Sequence, residues 1–116
     1  YAPQTNDCWA FCRRVWAAQI GLEVPVVTVN GSNLRSITRA FSHHSERALW
    51  NAVEYPIEGD AVLLAHSRYP SHVGIWVDAD GGGVLHCQDP MGVIFSSRNA
   101  LERSGWSRLQ FYRRAI

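Results

Sequence analysis

The chain has 116 residues, 47% of them hydrophobic, with five tryptophans and a formal net charge of +1. That length and composition exclude a disordered tract and predict one globular domain over residues 1–116. The near balance of charge excludes a broad nucleic-acid footprint, and no apolar stretch approaches the ~20 residues of a membrane span.

In chain order, Asn6 or Asp7 is a good N-cap, and the spacing predicts a helix from there to Ile20. Trp9, Cys12, Trp16 and Ile20 form its apolar stripe, widened by Phe11, Val15 and Ala18, and Gly21 is a natural stop. Leu22 to Val29, interrupted by Pro25, reads as an extended connection. Ser32 or Asn33 caps a second, weaker helix carrying Leu34, Ile37, Ala40 and Phe41, and Glu46 to Val53 reads as a further turn or two of helix. After the turn at Tyr55 to Asp60, Ala61 to Ala65 is a continuous apolar run of buried-strand type. His72 to Val77 is the next strand, and Asp78-Ala79-Asp80-Gly81-Gly82-Gly83 is the loop of a hairpin leading to Val84-Leu85-His86. Asp89-Pro90-Met91-Gly92 turns the chain into Val93 to Phe95. Ser96 or Ser97 caps a short helix through Leu101, and Trp106 to Tyr112 is a last strand. Helices followed by a run of antiparallel strands make an α+β layout.

Candidate chemistry starts at Cys8. A helix N-terminus presents free N–H groups and about half a unit of positive charge, which favours thiolate over thiol. Such settings bring a cysteine pKa from ~8.5 into the ~3.5–7.5 range, above all beside an imidazolium. Alone, Cys8 reads as a buried apolar residue at the first helical position; His72 changes that balance. In a strand from His72 to Val77, Val73, Ile75 and Val77 share one face as a core stripe. His72 and Gly74 share the other, where glycine leaves room for a helix end or another backbone at a shallow site.

His86 joins His72 on that face if the numbers of facing residues in the hairpin sum to an even value; an odd sum would bring Cys87 there instead. The even register is expected, because it leaves a polar ring beside the base. Cys12 and Cys87 are expected as small buried apolar residues. His43, His44 and His66 are expected to be solvated, as are the doublets Arg13-Arg14 and Arg113-Arg114. Cys8, Cys12, His72, His86 and Cys87 would suffice as zinc ligands. No Cys-x-x-Cys or helical His-x-x-x-His accompanies them, so zinc ranks below thiol chemistry and no cofactor is implied.

Several of these segments together resemble the NlpC-type cell-wall cysteine peptidases of the papain-like superfamily. Asp7-Cys8-Trp9 resembles the nucleophile segment, with a tryptophan after the cysteine as in the phage tail-associated branch. Glu58-Gly59-Asp60-Ala61-Val62-Leu63-Leu64 is similar to the family's Gly-Asp strand, and Ser71-His72-Val73-Gly74-Ile75-Trp76 to its histidine strand. Val84-Leu85-His86 resembles the segment of the third residue, and Trp106 to Arg113 the closing strand. The resemblance implies an NlpC-type papain-like α+β fold, with N-terminal helices packed on an antiparallel sheet. It also implies a Cys8–His72–His86 triad that cleaves peptidoglycan stem peptides, at the γ-D-glutamyl to diamino-acid bond. The oxyanion would be held by the backbone N–H of Cys8 and by Tyr1, which matches a tyrosine often found before the nucleophile. Peptidoglycan or muropeptides are the implied partners, with phage tail-tip proteins, and the virion tail tip or the bacterial periplasm and cell wall the implied location. A catalytically weak structural module of a tail tip, and an amidase or acyltransferase on the same scaffold, are the alternatives.

Overall fold

The computed structural model describes residues 8–22, 49–66, 72–88 and 92–115, without the side chains of Cys8, Trp9, Ile20 and Gln88. Helix α1 spans Cys8–Ile20. Cys12 and Trp16 of the expected stripe are buried, Phe11 beside them is buried too, and Ala18 faces solvent. Gly21 takes φ +66°, the left-handed C′ conformation that ends helices and that a Cβ disfavours. The second helix expected near Ser32, and Tyr1, His43 and His44, lie outside the described residues.

Among the described residues six antiparallel strands follow. They are β1 (Trp50–Val53), β2 (Ala61–Ala65), β3 (His72–Val77), β4 (Gly83–Gln88), β5 (Gly92–Ser97) and β6 (Arg108–Arg114), ordered β1-β6-β2-β3-β4-β5 across the sheet. Between β5 and β6 lies helix α2 (Arg98–Arg103), capped by Ser97, whose Oγ accepts from the Ala100 N–H at 3.2 Å. The described residues are thus α+β, with α1 against β3 and β4 of an antiparallel sheet.

Two expectations are corrected here. Trp50 to Val53 is a strand, not the helical turn expected over Glu46 to Val53. It pairs in register with Phe111 to Arg114, and Trp50 buries its ring against Trp16 with centroids 5.1 Å apart. The last strand begins at Arg108 rather than Trp106, which packs as a side chain before it.

The central strands are buried on both faces. On one, Phe11, Cys12 and Trp16 of α1 cluster with Trp50, Ala61, Val73, Ile75 and Cys87. On the other, Val62, Leu64, Trp76, Val84 and Phe111 cluster with Leu101 of α2. Alternation along each strand sends odd residues of β3 and β4 to the α1 face and even ones to the α2 face. Cys12 and Cys87 are fully buried on the α1 face, as expected of small apolar residues.

Candidate active site

His72 opens β3 and His86 lies near the end of β4. Their strands pair Ile75 with Leu85, Trp76 with Val84 and Val77 with Gly83, so facing numbers have an even sum. Both rings therefore emerge on the α2 face as diagonal neighbours. His72 Nε2 and His86 Nδ1 are 2.7 Å apart, with the rings edge to face at 74°. His86 Nε2 in turn lies 3.0 Å from Ser96 Oγ on β5, so three side chains from three adjacent strands form one line. Ser96 faces Val84 across the β4–β5 ladder and so shares their side of the sheet.

Gly74 makes this convergence sterically feasible, through the close approach of another backbone that was one of the two expected reasons for a glycine there. A Cβ there would sit 2.4 Å from Val84 Cγ1, 2.9 Å from the Leu85 carbonyl and 3.0 Å from His86 Cβ. It is the neighbouring strand, not a helix end, that needs the space.

Trp106 closes over the pair. Its ring stacks on His72 at 5.4 Å and 20°, and on His66 at 3.8 Å and 15°. His66 Nδ1–H donates to the Gly105 carbonyl at 2.8 Å, and Ser107 Oγ–H donates to the His66 carbonyl at 2.8 Å, which ties Trp106 in place from both sides in sequence. His66 is exposed as expected but carries this packing role, which its loop position did not signal.

Burial sets the electrostatics. His72 is 7% exposed and His86 1%. The cost of burying a charge, followed by repulsion from His86 and His66, lowers the His72 pKa from 6.5 to about 4. Burial lowers His86 to about 4 as well. At neutral pH both rings are uncharged, so each shares one proton between two nitrogens. His72 is thus a buried base rather than a group at a shallow surface site, which corrects that expectation.

Cys8 is the first described residue of α1 (Cys8–Ile20). Helix α1 packs on the face of the sheet opposite the two histidines. Its later half is fixed at the far end of the sheet, where Trp16 Nε1–H donates to the Gly59 carbonyl at 2.9 Å. Phe11 and Cys12 sit in the cluster that includes Val73 and Cys87. The pair His72–His86 is brought together; the Cys8 side chain lies outside the described residues. Among the described residues no three His, Cys, Asp or Glu side chains converge as a metal-ligand set.

Asp60 carries a role that the sequence did not disclose. It is 3% exposed. Arg113 on β6 forks onto it, Nε to Oδ1 at 3.0 Å and Nη2 to Oδ2 at 2.8 Å, and the Ile57 N–H donates to Oδ2 at 2.9 Å. Arg113 is therefore an ion-pair partner rather than part of a solvated doublet. Its carboxylate partner raises the guanidinium pKa further. The Asp60 carbonyl accepts from the Trp76 N–H at 2.8 Å, so the Gly59-Asp60 turn ties β2, β3 and β6 together at the end of the sheet away from the histidines.

An α+β domain with an antiparallel sheet, a cysteine opening its N-terminal helix and two hydrogen-bonded histidines on adjacent strands has the ingredients of thiol-dependent hydrolysis. The sequence profile of the NlpC/P60 family matches residues 1–112. The chain belongs to the NlpC/P60 family, whose members are peptidoglycan-hydrolysing peptidases of the cysteine type. No curated protein matches the chain significantly.

Proposed function

We propose that Cys8, His72 and His86 form the catalytic centre of a cysteine peptidase that opens the γ-D-glutamyl to diamino-acid bond of peptidoglycan stem peptides. Residues 1–116 would act as one domain of a phage tail-associated cell-wall hydrolase, working at the virion tail tip or in the bacterial periplasm and wall beside tail-tip proteins. The observation that carries the catalytic part is the 2.7 Å contact between His72 Nε2 and His86 Nδ1 in a chain of this family. It occupies one nitrogen of His72 and leaves Nδ1 as the ring atom for a thiol.

Neutral His72 takes the Cys8 thiol proton on Nδ1, and the thiolate attacks the amide carbon. The carbonyl oxygen gains the electron pair, held by backbone N–H groups at the start of α1, that of Cys8 included, with Tyr1 as a further donor. When the pair returns, the C–N bond breaks and the imidazolium gives its proton to the leaving amine. Water, deprotonated by His72, then attacks the thioester, and Cys8 leaves as the thiol. His86 keeps the His72 ring in orientation throughout.

A second reading, a structural tail-tip module with little turnover, is favoured by a specific observation: both histidines are buried on the face away from α1. The test is to incubate sacculi and a synthetic stem peptide with wild type, Cys8→Ala and His72→Ala, and to resolve the products by chromatography and mass spectrometry. Cleavage by wild type, none by Cys8→Ala, and a loss of ~10²–10⁴-fold in His72→Ala support the peptidase. A folded, reduced wild type no more active than Cys8→Ala overturns it in favour of the structural module.

A further inference from the structure

We infer that Ser96 is a positioning residue: acting through His86, it sets which nitrogen of His72 carries the proton. Its kinetic consequence rests on the peptidase reading; its effect on the rings does not.

The line His72 Nε2–Nδ1 His86 Nε2–Oγ Ser96 admits two proton arrangements. In the first, His72 Nε2–H donates to His86 Nδ1 and His86 Nε2–H donates to Ser96 Oγ. In the second, the Ser96 hydroxyl donates to His86 Nε2, His86 Nδ1–H donates to His72 Nε2, and the His72 proton moves to Nδ1. Only the first leaves Nδ1 as a lone pair able to take a proton from a thiol. It also stays intact when His72 becomes imidazolium, because the new proton adds at Nδ1 and no other bond changes. The second already has Nδ1 occupied and cannot act as a base there.

The first arrangement needs an acceptor at His86 Nε2. That residue is 1% exposed, and a buried N–H without a partner is strongly disfavoured. Ser96 Oγ, 3.0 Å away, is placed to be that acceptor. Without the hydroxyl, the His86 proton is driven to Nδ1, where it faces His72 Nε2 and forces the His72 proton onto the wrong atom. A serine on β5 thus reaches a base on β3 through an imidazole on β4.

Long-range ¹H–¹⁵N correlation spectra of the ¹⁵N-labelled chain near pH 7 read the tautomers directly. The expected wild type has His72 and His86 both protonated on Nε2. In Ser96→Ala the His86 population moves toward Nδ1–H and that of His72 follows. Turnover falls about five- to tenfold in kcat with KM unchanged, the worth of one hydrogen bond. Ser96→Thr restores both. Should Ser96→Ala not fold, Ser96→Val against Ser96→Thr repeats the comparison, since these two differ only in a methyl for a hydroxyl. A wild type protonated on Nδ1, or tautomers unmoved by loss of the hydroxyl, overturns the assignment. A wild type with the expected tautomers, displaced by Ser96→Ala, but with no turnover, overturns the peptidase reading and leaves the Ser96 assignment standing.

Discussion

Acid should unfold this protein through its histidine pair before its carboxylates dominate. The perturbation is a fall in pH from 7 to 4. In the folded chain His72 is held down to about 4 by burial, then by His86 and His66, whereas in the unfolded chain it titrates near 6.5. Between those values the unfolded state binds more protons than the folded one, so stability rises with pH across the window. It is fully present above about 6.5 and is lost as pH falls toward 4. For His72 alone the displacement corresponds to about 3 kcal/mol, a large part of the ~5–15 kcal/mol of a typical domain. His86 acts in the same direction. The assay is urea unfolding followed by tryptophan fluorescence at half-unit steps from pH 7.5 to 4, on wild type and on His72→Phe, which keeps a ring beside Trp106 but cannot charge. Wild type should lose midpoint steadily below pH 6.5, with a thermal shift of roughly 10 °C by pH 4. The variant should show a flatter slope. Equal slopes in the two proteins would refute the claim that a buried neutral His72 carries the acid sensitivity.

Two further outcomes follow from the packing. Gly74→Ala places a methyl 2.4 Å from Val84 Cγ1, and such overpacking should cost ~1–3 kcal/mol; an unchanged urea midpoint would show that β3 and β4 are not held this close. With iodoacetamide near neutral pH, Cys8 should be alkylated first, while Cys12 and Cys87, both 0% exposed, should react only on the timescale of unfolding. Mass spectrometry of peptides after graded exposure decides, and early labelling of Cys87 would contradict its burial under α1.

Most of the sheet was legible because its signals are local. Alternation between His72 and Val77, glycine-rich turns and the parity of the β3–β4 hairpin are properties of a few neighbouring residues, and they suffice to put His72 and His86 on one face. Features that depend on distant partners were not legible. Residues 50–53 become β1 only because Phe111 to Arg114 supply a ladder, and nothing within that short segment encodes its partner. Asp60 and Arg113 are 53 positions apart, and neither the turn at Tyr55 to Asp60 nor a C-terminal arginine doublet encodes the other. The family resemblance was also legible, since the Asp7-Cys8-Trp9 and histidine-strand motifs need no tertiary information.

The harder lesson concerns faces. The apolar stripe at Val73, Ile75 and Val77 reads as the core face, which leaves His72 and Gly74 toward a shallow site. That inference holds for a sheet covered on one side. Here α1 covers one face while α2 and Trp106 cover the other, so both stripes are interior. Helical periodicity in α1 says that it must bury a face, but not which face of the sheet receives it. A polar pair enclosed on such a surface persists only if each ring nitrogen that carries a proton finds an acceptor. The chain meets that demand across three strands, from His72 to His86 to Ser96. Serine at the end of an alternating Gly92–Ser97 strand looks like an ordinary solvent-facing residue. Its role emerges only once the register sets Ser96 opposite Val84 and diagonal to His86. Sequence therefore reached the two imidazoles. The atom that orders their protons became visible only with the third strand in place.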